Sequence, residues 1–358
     1  MWNDRKVLDL FGIEHPIIQA PMAGATNPVV VAGVSNAGGL GSFGAAGSPP
    51  EKLHETVAAI RKGTGRPFNI NLFAAHTEEF DRDVRPGPQL AGKLAAYHAE
   101  FGLGAVPDPA PMFGPFDDQL DVLVEENVPV ISFHFGADPI AVEKAHSSGA
   151  VVLSSATTVA EAIALEDAGV DAVIAQGAEA GGHRGTFTID YKKALIGTMA
   201  LVPQVVDAVR VPVIAAGGIM DARGVVACLA LGASAVQMGT AFLCCPETSL
   251  LDGWRASLQR AAAEDTKVTT ALSGRPARGI QNRYIEEVEA LNEALLPYPA
   301  QYSVSRTLRK SGAERNDTDF MSMWAGQGVG LIRNQPVADL MRDLVNDSQE
   351  LISRLAKR

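Results

Sequence analysis

The chain is short of cysteine, of clustered positive charge and of long apolar runs, and each shortage excludes a class of protein. Three cysteines occur in 358 residues, Cys228, Cys244 and Cys245, without CxxC spacing. They read as core or near-core thiols in a reducing compartment, not as a disulfide or metal framework. No cluster has metal-ligand spacing, so no metal is expected. The 30 Lys and Arg are outnumbered by 41 Asp and Glu, for a net charge of −11. Without a basic stripe to track phosphates, no nucleic-acid partner is expected. Glycine interrupts the apolar runs well short of the ~18 residues that a membrane span needs, so no membrane partner is expected either. The first residues, Met1-Trp-Asn-Asp-Arg-Lys6, carry both signs of charge and lead into no apolar region. No secretory signal is expected, and the chain reads as cytoplasmic.

What is present is a rhythm. Hydrophobic residues make up 47% of the chain, enough for one large core and a smaller domain. Eight short apolar runs alternate with helical patterns over the first 245 residues: His15–Ala20, Gly39–Phe43, Pro67–Phe73, Val128–His134, Val151–Ser155, Ala172–Gln176, Val211–Ala216 and Ala235–Gly239. Helix-compatible segments such as Val159–Ala168 and Arg223–Leu231 end beside Gly169 and Gly232, which suit C-caps. Eight strands with intervening helices predict an α/β fold, a (β/α)8 TIM barrel. The rival, a doubly wound open sheet, would place a GxGxxG turn after its first strand; Pro21-Met-Ala-Gly24 stands there instead.

Two regions break the rhythm. Residues 76–127 form a long Pro-, Gly- and charge-rich excursion. After Pro246 the alternation stops. We expect residues 1–246 to form the barrel, completed by 321–358, and 247–320 to form a smaller, mainly helical domain capping its mouth. Within the cap, 264–283 reads as a polar, Gly-containing segment. The last helix, Val337–Leu355, spaces Leu340, Met341, Leu344, Leu351 and Leu355 so as to pack back on the barrel.

The chemistry is expected at the C-terminal ends of the strands. The run Gln176-Gly-Ala-Glu-Ala-Gly-Gly-His183-Arg-Gly-Thr-Phe187 ends a buried strand in a glycine-rich loop bearing one His and one Arg. Asn69 and Asn71 share one face of the third strand. Ser132 and His134 share one face of the fourth, with Ile131, Phe133 and Phe135 on the other. Gly217-Gly218 and Gln237-Met238-Gly239-Thr240 end the seventh and eighth strands, where bare backbone N–H groups commonly cradle a phosphate. Asn71 and Gln176 offer amides to the edge of a flat heterocycle. FMN meets both requirements better than a sugar phosphate does. His183 and His134 are the acid–base candidates; His134 reads equally as a hydrogen-bonded core residue. His15, His54, His76, His98 and His146 read as solvated. Tyr298, Tyr302 and Arg306 recur every four residues around Pro299. They form either a row able to hold a small carboxylate or nitro group or a face packed on the barrel.

With these residues together, the chain resembles the class I nitronate monooxygenases, formerly 2-nitropropane dioxygenases, from Pro16 to about Gly330. The resemblance rests on Gln19-Ala-Pro-Met-Ala-Gly24, Asn36-Ala-Gly-Gly-Leu-Gly41, Pro67–Phe73, Ser132-Phe-His-Phe-Gly136, Gly177–Phe187, Gln237–Thr240 and Trp324-Ala-Gly-Gln-Gly328. It implies an FMN barrel oxidising alkyl nitronates, notably propionate 3-nitronate, with O2 and no nicotinamide. One-electron transfer through a flavin semiquinone would yield a carbonyl compound and nitrite or nitrate. It also implies FMN contacts at Ala20, Pro21, Met22, Asn71, Gln176, Gly181, Gly218, Gln237, Met238, Gly239 and Thr240. His183 would be the catalytic base, with His134, Tyr298 and Tyr302 in the substrate site. Arg306 stands where the family pattern has Lys, which changes reach and geometry toward a carboxylate. The alternatives are an FMN-dependent NADH:quinone or enoyl-thioester reductase, and a flavin-free phosphate-binding barrel.

Overall fold

The computed structural model describes residues 2, 4–74, 80–111 and 115–357. Its strands are β1 (Ile17–Gln19), β2 (Gly41–Gly44), β3 (Phe68–Phe73), β4 (Val130–His134), β5 (Val151–Ala156), β6 (Ala172–Gln176), β7 (Gly182–His183), β8 (Val213–Ala216), β9 (Ala235–Met238), β10 (Thr266–Thr269) and β11 (Ala277–Ile280). All but β7, β10 and β11 pair in parallel, in the order β1-β9-β8-β6-β5-β4-β3-β2. An Ile18–Leu40 bridge brings the first and last of these together, so the sheet is a nearly closed TIM barrel. β6 and β8 were legible because both are covered on both faces: every residue of each is buried, which produces a short, almost wholly apolar run.

The barrel helices start and stop where local chemistry dictates. Helix α1 is Lys6–Phe11, α2 Pro28–Asn36 and α3 Pro50–Gly63; α4 (Pro88–Glu100) and α5 (Phe116–Glu125) lie in the excursion. Next come α6 (Pro139–His146), α7 (Val159–Asp167), α8 (Thr198–Ala208), α9 (Ala222–Ala230) and the short α10 (Thr240–Leu243). The Thr158 side chain caps α7 at Glu161 N, and Gly169, at φ +92°, closes it. Asp221 caps α9, and Gly232 follows it at φ +97°. Residues 247–320, the segment expected to cap the barrel, hold α11 (Asp252–Arg260), α12 (Arg283–Glu289), α13 (Ala300–Val304) and α14 (Arg306–Glu314). The final helix, α15 (Val337–Leu355), buries Leu340, Met341 and Leu344 in the barrel core beside α2 and α9. Among the described residues no helix is long and apolar enough to cross a membrane.

The excursion divides between two cores. Phe116, Leu120 and Leu123 of α5 join the barrel core. Leu90, Leu94 and Tyr97 of α4 pack instead with Tyr284, Ile285, Val304, Leu308 and Phe320 of the cap. Phe320 sits edge-on to Tyr97 and Phe101 at 5.0 and 4.8 Å, contacts each worth roughly 0.5–1.5 kcal/mol beyond area burial.

The polar, Gly-containing segment 264–283 holds two strands. Its β10 and β11 form an antiparallel ribbon, and β11 adds β7, pairing Ala277 with His183. The cap therefore reaches the Gly-rich loop through main-chain hydrogen bonds. His98 is also unlike the expectation: it is buried, with Nδ1 2.8 Å from the Gly104 carbonyl. His54 and His146 face Glu126 and Asp171 at 2.8 Å, and His15 accepts from the Trp2 indole. His76 lies outside the described residues.

Candidate active site

A cavity opens at the C-terminal ends of the barrel strands, walled on its other side by Trp254, Tyr298, Tyr302 and Trp324. Its floor takes Ala20, Pro21 and Met22 from beyond β1, Asn71 from β3, His134 from β4 and Gln176 from β6. The rim adds Gly181, Gly218, Gln237, Gly239 and Thr240. His183, Tyr298, Tyr302, Trp254 and Trp324 line the same space. Ten of the eleven expected cofactor residues thus share one cavity.

Met238 is the exception. Alternation along β9 turns Gln237 toward the cavity and Met238 into the main core; its carbonyl accepts from Ala20 N at 2.9 Å. Arg306 also departs from the expectation. Helix α13 ends at Val304, and Arg306 begins α14 exposed and away from the cavity lining. The guanidinium that does stack on Tyr302, at 3.8 Å, is that of Arg309, which also donates to the Tyr302 carbonyl.

The two histidines differ in kind. His134 Nε2 lies 3.1 Å from the His183 carbonyl oxygen, which can only accept, so Nε2 carries the proton. Its Nδ1, 3.2 Å from Ser155 Oγ, is then the acceptor. Both nitrogens are engaged, and burial pushes the ring's pKa down to about 4 despite the carbonyl bond. His183 instead presents its ring to the cavity wall. Rings of Phe73, Phe135, Tyr298 and Trp324 surround it at centroid distances of 5.4–6.0 Å. Burial first, then the nearby His134 and Arg275, lower its pKa to about 3. A neutral imidazole in an aromatic box has a lone pair available at neutral pH.

The amides are committed in part. Gln176 Nε2 donates to the His183 carbonyl at 3.0 Å, and its Oε1 accepts from Gly185 N at 2.8 Å. It clamps the Gly-rich loop more than it offers an edge to a heterocycle. Asn71 Nδ2 reaches both the Ser132 carbonyl and Ser132 Oγ at 3.0 Å, which leaves Oδ1 as the group to present. Gln237 Oε1 is buried without a protein partner.

Glycine is required on the rim for contact as well as conformation. A Cβ at Gly181 would stand 2.6 Å from Ala325 C and Gly326 N. One at Gly326 would meet the Glu179 carbonyl at 2.6 Å. The loop and the 325–328 strap are pressed together, and Gly326 N donates to Thr240 Oγ1 at 2.9 Å. Gly217 and Gly218, at φ +117° and +71°, bare their backbone beside them.

Sequence reasoning missed several supports. Arg184 is buried and donates to the Gly177 and Gln176 carbonyls at 2.6 and 2.8 Å. Glu161 is buried and accepts from Thr157, Phe187 and Thr188. Arg275 lies over the Phe135 ring at 3.7 Å and donates to the Thr186 carbonyl. Phe135 itself was expected on the outer face with Phe133. Its φ of +74° breaks the alternation and swings its ring beside His134 and His183. The visible signal was the Phe-His-Phe-Gly run, in which Gly136, at φ +100°, continues the turn.

Comparison with known proteins identifies the family and the fold. The family described as nitronate monooxygenase matches residues 4–347. A nitronate monooxygenase of Pseudomonas aeruginosa is 44% identical over 345 residues, covering 94% of this chain and 97% of that one. A probable nitronate monooxygenase of Staphylococcus saprophyticus is 38% identical, with 98% and 99% covered. Among solved structures, nitroalkane oxidase from Streptomyces ansochromogenes gives a TM-score of 0.89 at 37% identity, over 98% of this chain and 99% of that one. FabK from Thermotoga maritima gives 0.76 at 32%, over 98% of each. With one family matched across nearly its whole length and a nearly closed parallel barrel in place, the chain belongs to the nitronate monooxygenases, a family of oxidoreductases.

Proposed function

We propose that the cavity binds FMN and that the protein, in the cytoplasm, oxidises alkyl nitronates with O2, without a nicotinamide. Propionate 3-nitronate is the preferred candidate substrate; products are a carbonyl compound and nitrite or nitrate. The barrel, residues 1–246 with 321–358, would carry the cofactor, and 247–320, joined by α4, would cover it. The observation that carries the reading is the neutral His183 ring held in an aromatic wall of the same cavity that gathers the glycine rims.

The residues fit the group. Gly218, Gly239 and Thr240 would hold the phosphate through main-chain donors. Asn71 Oδ1 would take a ring N–H, and the partnerless Gln237 Oε1 is a second acceptor beside the cavity. When bound, FMN supplies the electron acceptor for the nitronate and the route to O2. The protein does the rest. His183 takes the proton from a neutral nitroalkane, or, once protonated, steadies the anion. Tyr298 and Tyr302 position the substrate, and Phe73, Trp324 and Phe135 exclude water from around the base.

The likeness to FabK keeps one other reading in view, a flavin-dependent NADH:quinone or enoyl-thioester reductase on the same barrel. Oxygen uptake and nitrite release separate the two. Propionate 3-nitronate alone is expected to drive both. Absent turnover with nitronates, together with NADH oxidation in the presence of a quinone or enoyl thioester, would replace this reading by the reductase.

A further inference from the structure

Ser273 is wholly buried in the turn between β10 and β11, and its one hydroxyl has three partners. Its Oγ accepts from the Arg275 backbone N–H at 3.2 Å and lies 2.9 Å from the Arg275 carbonyl oxygen. A carbonyl has no proton to give, so the hydroxyl proton occupies that contact. The third partner is His183 Nε2, at 3.0 Å. With its own proton committed, Oγ can only accept there, and Nε2 must bear the hydrogen. Turning the hydroxyl toward Nε2 instead would strip the Arg275 carbonyl of this bond.

We infer that Ser273 is a positioning residue that holds His183 as its Nε2–H tautomer, and thereby makes Nδ1 the atom that accepts a proton from substrate. Which ring nitrogen is basic is decided by the hydrogen bond the other one makes. The inference rests on the proposed nitroalkane chemistry for its consequence, though not for the tautomer itself.

The surroundings make this contact hard to lose. His134 Nε2 and Gln176 Nε2 pin the His183 carbonyl at 3.1 and 3.0 Å, so the backbone cannot swing the ring away. β11 pairs with His183 directly. The turn is fixed on its far side too: Gly274, at φ +81°, lies so close to the 296–298 segment that a Cβ would stand 2.5 Å from the Leu296 carbonyl and 2.7 Å from Tyr298 N. One turn therefore sets the ring of His183 and abuts the chain that carries Tyr298.

In the reaction, the C–H bond next to the nitro group breaks and its proton goes to Nδ1. The electron pair moves into the C–N bond and onto the nitro oxygens, giving the nitronate. His183 becomes an imidazolium whose Nε2–H still points at Ser273 Oγ, so no hydrogen bond is broken as the charge forms.

The direct test is the nitrogen-15 spectrum of histidine-labelled protein as isolated, with the His183 signals identified by their loss in His183→Asn. At neutral pH the expected spectrum shows a protonated, pyrrole-type nitrogen at Nε2 and an unprotonated, pyridine-type nitrogen at Nδ1. A pyridine-type Nε2 overturns the inference, whatever the activity. In Ser273→Ala the tautomers are expected to mix, and kcat/KM for neutral nitroethane to fall about tenfold or more, as for a misdirected general base. Preformed ethyl nitronate should lose less than about threefold, since it needs no proton removed. An unchanged tautomer in Ser273→Ala, or equal losses on both substrates, also overturns it. Should Ser273→Ala fail to fold, the wild-type spectrum still decides. Failure of the broader reading would look different: wild-type protein that turns over no nitronate at all.

Discussion

His134 donates its Nε2–H to the main-chain carbonyl of His183 at 3.1 Å, and this ties the two histidines into one device with unequal parts. With Nδ1 facing Ser155 Oγ, His134 has no nitrogen left for proton transfer and holds the His183 backbone instead. His134→Phe keeps the ring's bulk and removes the donor. It is expected to cost about 1–2 kcal/mol in urea unfolding and to lower nitronate turnover without abolishing FMN binding. Complete loss of turnover in a fully folded, yellow variant would mean that His134 acts on the substrate directly.

Both histidines are neutral in the folded protein far below the ordinary value of 6.5, His134 until about pH 4 and His183 until about pH 3. In the unfolded chain both would be protonated below about 6.5. Between those limits unfolding takes up protons, so stability falls as pH falls. Flavin-free protein is expected to take up close to two more protons from these groups on unfolding at about pH 5. Urea midpoints measured from pH 7 to 4.5 should drop less steeply in His183→Asn than in wild type. Parallel curves would show that the ring is already charged in the folded state.

Glu161 accepts five hydrogen bonds, from Thr157 N and Oγ1, Phe187 N, and Thr188 N and Oγ1. Every partner is a donor. Glu161→Gln would turn an amide NH2 against some of them at a buried site, costing about 2–4 kcal/mol. The loop behind His183 should loosen with it, raising the dissociation constant for FMN. Thermal unfolding and FMN titration test both consequences, and a variant as stable as wild type would contradict them.

Gly181→Ala tests the contact between the Gly-rich loop and the 325–328 strap. The new methyl would fall 2.6 Å from backbone atoms of Ala325 and Gly326, which cannot yield as a side chain could. The protein is expected to fold, since the barrel core is untouched, and to purify with a lower flavin-to-protein ratio. Wild-type flavin content would show that the loop can shift without opening the cavity.

The barrel was legible because its strands are largely buried and leave short, mostly apolar runs at a regular spacing. Thr266-Lys-Val-Thr269 and Ala277-Arg-Gly-Ile280 carry no such mark. Their strand form comes from pairing with each other and with β7, and Arg278 is buried because the Ala178 and Thr266 carbonyls accept from it. Strand alternation turned Asn71 and His134 toward the cavity as expected, yet it failed at Phe135, where a left-handed residue ends the pleat. Spacing by fours grouped Tyr298 and Tyr302, and broke down at Arg306 because α13 stops short of it. Ser273 gave no signal at all. Its role depends on a hairpin turn meeting a loop 90 residues away.

The claim underlying all of this is that a nitronate, and not a nicotinamide, delivers electrons in this cavity. The most direct measurement is anaerobic rapid mixing of the FMN-loaded protein with propionate 3-nitronate and, separately, with NADH, followed in the visible flavin band. The nitronate is expected to change that band within a single turnover and NADH to leave it untouched over the same interval. Rapid bleaching by NADH, with no response to the nitronate, would contradict the account.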